Sequence, residues 1–187
     1  MIKLININKS FDNLKVLNSF TLNIENGETV AIMGKSGEGK TTVLNIIAGL
    51  IKPDSGEITG VPQNISMVFQ ENRLLNEFSG IDNIVHTCNA NKSDIKNHFK
   101  LVGLEGWEYK PVNEYSGGMK RRVAIVRAIM AKSDLILLDE PFKGLDADTK
   151  FKVINYVRDN IGNRTCIIVT HDISEANILK AKQLINI

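Results

Sequence analysis

Cysteine is scarce in this chain, with two in 187 residues. Neither has a metal-ligand spacing, which argues against a zinc site or a disulfide framework and suits a reduced, intracellular setting. Cys166 lies in the apolar run Thr165 to Val169 and reads as a buried small hydrophobe; Cys88 lies in a polar stretch. An excess of either charge is also missing. The 23 basic and 21 acidic side chains nearly cancel, so net charge calls for no nucleic acid partner. Nor is there an apolar run near the roughly 20 residues that cross a bilayer. The start, Met1 to Asn6, lacks the apolar core of a secretory signal. A chain soluble by itself is expected, reaching any membrane process through a partner. Internal repeats and low-complexity linkers are missing too, and a chain of this length suits one domain with a core of its own.

Against these absences stands Gly34-Lys35-Ser36-Gly37-Glu38-Gly39-Lys40-Thr41-Thr42. It follows the β-prone run Thr29 to Met33 and precedes a helix-like run from Val43 to Leu50. Strand, glycine loop, helix is the context in which a phosphate loop works. Its glycines let successive N–H groups turn toward one point, and the helix N-terminus adds donors and partial positive charge there. Lys40 supplies a full charge for the outer phosphates, and the Thr41 hydroxyl can hold Mg²⁺. A nucleoside triphosphate site is expected.

Strands are expected at residues 2 to 8, 20 to 24, 65 to 69, 135 to 138, 165 to 169 and 184 to 187. Lys52 to Gly56 reads as a turn. Residues 71 to 113 are polar, weakly periodic and moderately helical, an outward-facing insertion. Helices are expected from Ser116 through Ala131, Lys150 to Asn160 and Ser174 to Lys180. Alternating strands and helices imply an α/β fold with a largely parallel sheet.

The run Leu135 to Leu138 ends in Asp139 and Glu140. A lone Asp-Glu pair is ordinarily a solvated strand end. Parallel strands, however, deliver their C-terminal residues to the edge where the phosphate loop sits. Asp139 can then reach Mg²⁺ directly or through water, and Glu140 can reach a water aligned on the terminal phosphorus. His171 and Gln70 also end strands. The first can donate to or accept from the transferring group; the second can offer its amide oxygen to Mg²⁺ or to the attacking water. Ser116-Gly117-Gly118-Met119 has the make-up of a helix-start anion site, though an ordinary N-cap looks the same.

In order and spacing these motifs resemble those of the ATP-binding-cassette (ABC) ATPases, over Ile2 to Ile187. The resemblance implies a single ATP-binding domain over 1–187: a mostly parallel core sheet, an N-terminal antiparallel β lobe and a helical insertion at about 71–133. It implies ATP and Mg²⁺ as cofactors, with Thr41, Gln70 and Asp139 toward the metal and Glu140, His171 and Gln70 in catalysis. Phe11 becomes the aromatic on adenine, with Val16 beside it; on its own Phe11 reads as a core residue. A homodimer follows, with Ser116 to Met119 contacting ATP held by the partner and Gly144, Leu145 and Asp146 at the interface. Permease subunits in the membrane and a separate substrate-binding protein are implied, placing the chain in the cytoplasm at the inner face of the cell membrane. Phe69 to Leu75, Ser116 to Arg122 and Asp139 to Asp146 resemble subunits that power nitrate, sulfonate and taurine importers. Asn76-Glu77 departs from their usual Pro-Trp, and their C-terminal extension is lacking. An apolar stretch to Phe78 is, by the same resemblance, part of a groove for a permease helix.

Rival readings are a release or efflux ATPase and a non-transport ABC protein. A GTPase is raised by Asn91-Lys92-Ser93-Asp94, but no buried strand leads into that tetrapeptide.

Overall fold

The computed structural model describes residues 1–88 and 90–187. A three-stranded antiparallel sheet forms first, from β1 (Ile2–Phe11), β2 (Leu14–Ile24) and β4 (Ser55–Thr59), in the order β2-β1-β4. A five-stranded sheet adds β3 (Thr29–Met33), β5 (Ile65–Val68), β6 (Leu135–Asp139), β7 (Thr165–Val169) and β8 (Gln183–Asn186). Its order is β5-β6-β7-β3-β8, and every pairing is parallel. The helices are α1 (Lys40–Ile47), α2 (Asp82–Cys88), α3 (Lys92–Leu101), α4 (Gly117–Met130), α5 (Ala147–Asn160) and α6 (Ile173–Ile178). The expected α/β class, parallel core sheet, antiparallel lobe and helical insertion are all present.

β6 and β7 are buried along their whole length, as strands covered on both faces must be. One side of the large sheet shares an apolar cluster with the small sheet and α1, including Leu4, Ile7, Ile32, Leu44 and Leu137. The other side packs on α4 and α5, and the insertion joins that same cluster through Ile84, Ile95, Phe99 and Leu104. The insertion therefore faces inward along this stripe, although its sequence reads as outward-facing. Cys166 is buried with its thiol pushed up to about 12; Cys88, despite its polar flanks, is buried as well.

Several boundaries differ from expectation. Lys52 to Gly56 turns, but the chain enters β4 at Ser55 and pairs with β1. β2 begins at Leu14, because Asp12, in a left-handed conformation, closes a tight hairpin that pairs Phe11 with Leu14. α5 starts at Ala147, capped by Asp146, whose carboxylate accepts the Thr149 N–H at 3.0 Å. The Asn91-Lys92-Ser93-Asp94 tetrapeptide is a helix start. Asn91 caps α3 by accepting the Asp94 N–H at 2.9 Å, so a guanine-reading strand end is ruled out.

Candidate nucleotide site

Strand β3 hands the chain to the glycine loop at the C-terminal edge of the sheet, and α1 opens at Lys40. Gly39 caps that helix at φ 97, where a side chain is strained; a Cβ there would also sit 2.7 Å from Val16. This close approach lays the glycine loop against β2, which also brings Phe11 near. A cavity of about 300 Å³ results, lined by Phe11, Val16, Ser36, Lys40, Thr41, Gln70 and Glu140 among others. Gly37, Gly39 and Thr42 complete the loop's share of the wall.

Gly34, Lys35 and Glu38 stand outside that wall and shape the loop instead. The buried Lys40 ammonium donates to the carbonyls of Gly34 at 2.9 Å and Lys35 at 2.6 Å. The Glu38 carboxylate accepts the Lys35 N–H. Phe11 is exposed at the cavity mouth, with the Lys9 ammonium 5.4 Å from its ring centre.

The end of β6 delivers the carboxylates. Asp139 is buried, and its Oδ1 has no hydrogen-bond partner among the described residues. Burial pushes its pKa up; the Thr41 side chain is the first influence pulling it down, Glu140 pushes it up again, and Arg121 and Lys40 pull against both. A buried orphan carboxylate oxygen beside the Thr41 hydroxyl is a hard-oxygen pair that fits Mg²⁺. Such a site needs few protein ligands, because phosphates and water supply the rest. Among the described residues no group of three or more His, Cys, Asp or Glu is arranged to hold a metal ion by itself.

Glu140 takes a left-handed backbone at φ 43, which turns its side chain off the strand axis and toward the cavity. Its N–H donates to the Val169 carbonyl at 2.9 Å, fixing that turn against β7. Its Oε1 lies 3.9 Å from Nδ1 of the exposed His171. Lys143 Nζ stands 2.9 Å from Oε2 as an ion pair, yet outside hydrogen-bonding alignment, so Oε2 has no hydrogen-bond partner among the described residues. His171 itself lines an adjoining pocket with Gly144, Leu145 and Lys150.

The Ser116 segment stands apart from both. Ser116 caps α4 by accepting the Met119 N–H at 3.2 Å, and Ser116 and Gly117 are exposed. Open space surrounds Gly117, while Gly118 packs under Leu145. The loop, Gln70, Asp139 and Glu140 thus converge, His171 sits at their border, and Ser116 to Met119 is not part of the cavity lining.

Two features were invisible in the sequence. Lys150 of α5 pairs with Asp172 and with the buried Glu175, each at 2.7 Å, and Glu175 accepts from Thr170 at 2.5 Å. This network holds both sides of His171; it drops the Asp172 pKa to about 2, Lys150 being the largest cause. Arg121 of α4 reaches back to the Gln70 segment. A larger cavity, about 570 Å³ and lined by Met1, Asn26, Asp134 and Asn163, lies at the opposite end of β6 and β7. It holds none of the unpartnered buried atoms.

A glycine loop opening a helix at the C-terminal edge of a parallel sheet, beside a strand-end Asp-Glu pair, defines a P-loop fold. The chain matches the ABC transporter family over residues 17–143, and it belongs to that family. It is 37% identical over 195 residues to the spermidine/putrescine import ATP-binding protein PotA of Fusobacterium nucleatum subsp. nucleatum, covering 94% of this chain and 52% of that one. The PotA of Spiroplasma citri is 36% identical over 205 residues, 99% of this chain and 58% of its own. The chain spans about half the length of these curated relatives. Both are named for polyamines; the nitrate, sulfonate and taurine subgroup is not what these relatives carry. Among solved structures, a dimeric bacterial ABC transporter cassette, MJ0796, superposes with a TM-score of 0.89 at 30% identity, over 100% of this chain and 94% of that one. The same cassette in a post-hydrolysis state with ADP and Pi gives 0.85 at 29% identity, over the same shares.

Proposed function

We propose that this chain is the ATP-binding and hydrolysing subunit that powers an importer of small solutes. The observation that carries the reading is convergence: one cavity is lined by the loop, Gln70 and Glu140, while Ser116 to Met119 of the same chain stays outside it, with Ser116 and Gly117 exposed. A site complete for binding but lacking that segment calls for a second copy.

In this reading Phe11 and Val16 cover the adenine, and the loop N–H groups with Lys40 hold the phosphates. Thr41 and Asp139 hold Mg²⁺, with Gln70 as a further oxygen donor. The ion, once bound, neutralises charge developing on the phosphate oxygens. Glu140 accepts the proton of the attacking water, and His171 steadies the transferring group from the other side. Gly144, Leu145 and Asp146 lie beside the partner. Residues 1–187 act as one domain with 71–133 inserted, which the shared apolar cluster supports. The relatives' names favour import over release or efflux. Cargo is chosen by the permease and by a substrate-binding protein, so neither the polyamines of these relatives nor nitrate, sulfonate or taurine is assigned. The chain works in the cytoplasm on the inner face of the membrane, held there by its permease.

The two-copy arrangement is tested with Ser116→Arg. The substitution adds bulk to an exposed helix start and leaves the phosphate loop untouched. ATP affinity of the monomer should stay within about threefold of wild type. ATP-dependent dimerisation on size exclusion and phosphate release should both be lost. If the variant loses ATP binding as a monomer, Ser116 serves its own site and the arrangement is wrong.

The membrane partner is tested at the groove. Leu74 is partly buried against the core, whereas Leu75 and Phe78 are 52% and 46% exposed, so these two are the ones to change. An apolar strip beside the Gln70 loop suits an amphipathic helix. Leu75→Asp with Phe78→Asp should release the chain from membranes containing its permease and stop transport, leaving basal ATPase activity intact. Persisting membrane association would remove the groove from the model.

A further inference from the structure

Residues 70–74 join β5 to the insertion, and among the described residues they make no backbone–backbone hydrogen bond. Their carbonyls are nevertheless held. Arg121 donates from Nη1 to the Phe69 carbonyl at 2.5 Å and from Nη2 to the Gln70 carbonyl at 2.6 Å. One helical stretch further on, Arg127 donates to the carbonyls of Arg73 at 2.9 Å and Asn72 at 3.3 Å. Two guanidinium forks from one helix thus hold three carbonyls of this segment and that of Phe69 just before it. Arg73, between them, keeps a left-handed φ of 45 and stacks its guanidinium 3.6 Å over the Phe69 ring. Beyond the forks, the Asn83 side chain takes both the N–H and the carbonyl of Leu75.

Arg121 is only 6% exposed and makes no ion pair among the described residues. A buried cation satisfied by two neutral carbonyls is an expensive arrangement for mere packing, where an apolar side chain would serve. Asp139 and Glu140 are close enough to act on its charge. The guanidinium thus holds the Gln70 carbonyl while feeling the charge of the two carboxylates. Its helix is α4, whose first turn is Ser116 to Met119.

We propose that Arg121 and Arg127 form a clamp that positions Gln70 against the phosphate cavity and carries any movement of the Ser116 end of α4 into that segment. Arg121 is a positioning residue, since it holds Gln70 by its backbone carbonyl and does not line the phosphate cavity. The clamp rests on the functional reading above and gives it a route between two sites. A partner's ATP engaging Ser116 shifts α4, and the forks transmit that shift to the chain's own Gln70.

The planar fork is what Lys cannot reproduce, because its donors radiate from one atom on a flexible stem and are not two parallel N–H groups on separate nitrogens. In purified chain, Arg121→Met should bind a fluorescent ATP analogue within about threefold of wild type yet show kcat lowered by about ten- to thirtyfold. Arg121→Lys should bind as well and recover part of that kcat, and amide exchange at residues 70–74 should quicken in both. Wild-type kcat in Arg121→Met overturns the clamp, and so does a parallel loss of affinity and turnover, which is the mark of a fold defect. If Arg121→Met fails to fold, Arg121→Lys decides: reduced kcat at intact affinity supports the clamp, and full kcat overturns it. A wild-type chain that binds no ATP sinks the functional reading and the clamp with it, whereas wild-type turnover in the variant sinks the clamp alone.

Discussion

Glu140→Gln should lower ATP turnover by about 10²–10⁴ while ATP binding survives. The substitution keeps the size and shape of the side chain and removes its capacity to take a proton. Shape matters here because the position is built around it. The left-handed backbone at φ 43 and the N–H to the Val169 carbonyl turn Glu140 out of β6, and neither depends on the carboxylate. What is lost besides the base is the contact with Lys143, whose side chain is 57% exposed, so little stability goes with it. Phosphate release measures the chemical step, and size exclusion in ATP measures its consequence. With hydrolysis blocked, two chains should remain closed on two ATP molecules, and the variant should elute as a dimer. Turnover like that of wild type would place the base on another residue, with His171, 3.9 Å away, next in line.

The phosphate loop and the Asp139-Glu140 pair were readable because each is contiguous and its neighbours announce its context. A glycine loop between a strand and a helix, and two carboxylates after four apolar residues, carry their geometry with them. Gln70 and His171 are single residues after strands. They gain meaning only from the parallel topology that brings β5 and β7 to the edge where β3 ends. The small sheet was harder to read. β4 has one half-buried residue in five, and what makes it a strand is its pairing with β1, a partner some fifty residues away. The bulges in β1 also break the alternation that marks a strand in sequence. In the insertion, Ile95 and Phe99 share one face of α3 at i,i+4, but Ile84 and Leu104 lie outside that helix, so the full extent of the buried face follows from tertiary packing. The two arginines of α4 were least legible. A basic residue after the Ser-Gly-Gly start reads as a solvated helix face, and only the fold shows that its guanidinium ends on the Gln70 carbonyl.

Lys40→Ala should weaken ATP binding by roughly ten- to a hundredfold and bring hydrolysis below detection. The first figure corresponds to one charge-assisted contact, about 1.5–3 kcal/mol, lost from a site whose other donors are neutral N–H groups. The structure adds a second reason for a large effect. The Lys40 ammonium is the strut that holds the Gly34 and Lys35 carbonyls, so its removal frees the loop's entry as well as deleting the charge. Two losses then compound: the phosphates meet less charge and a less ordered set of N–H groups. Lys40→Arg separates them. It keeps the charge, but a larger planar head cannot sit where an ammonium touches two carbonyls, so binding should recover partly and hydrolysis should not. Binding is read with a fluorescent ATP analogue and hydrolysis by phosphate release. Because Lys40 lies in the first turn of α1 and α1 packs through Val43, Leu44 and Ile47, the fold should survive both changes. A Lys40→Ala variant with unchanged ATP affinity and turnover would mean that the triphosphate is held elsewhere, and the assignment of this cavity would fall.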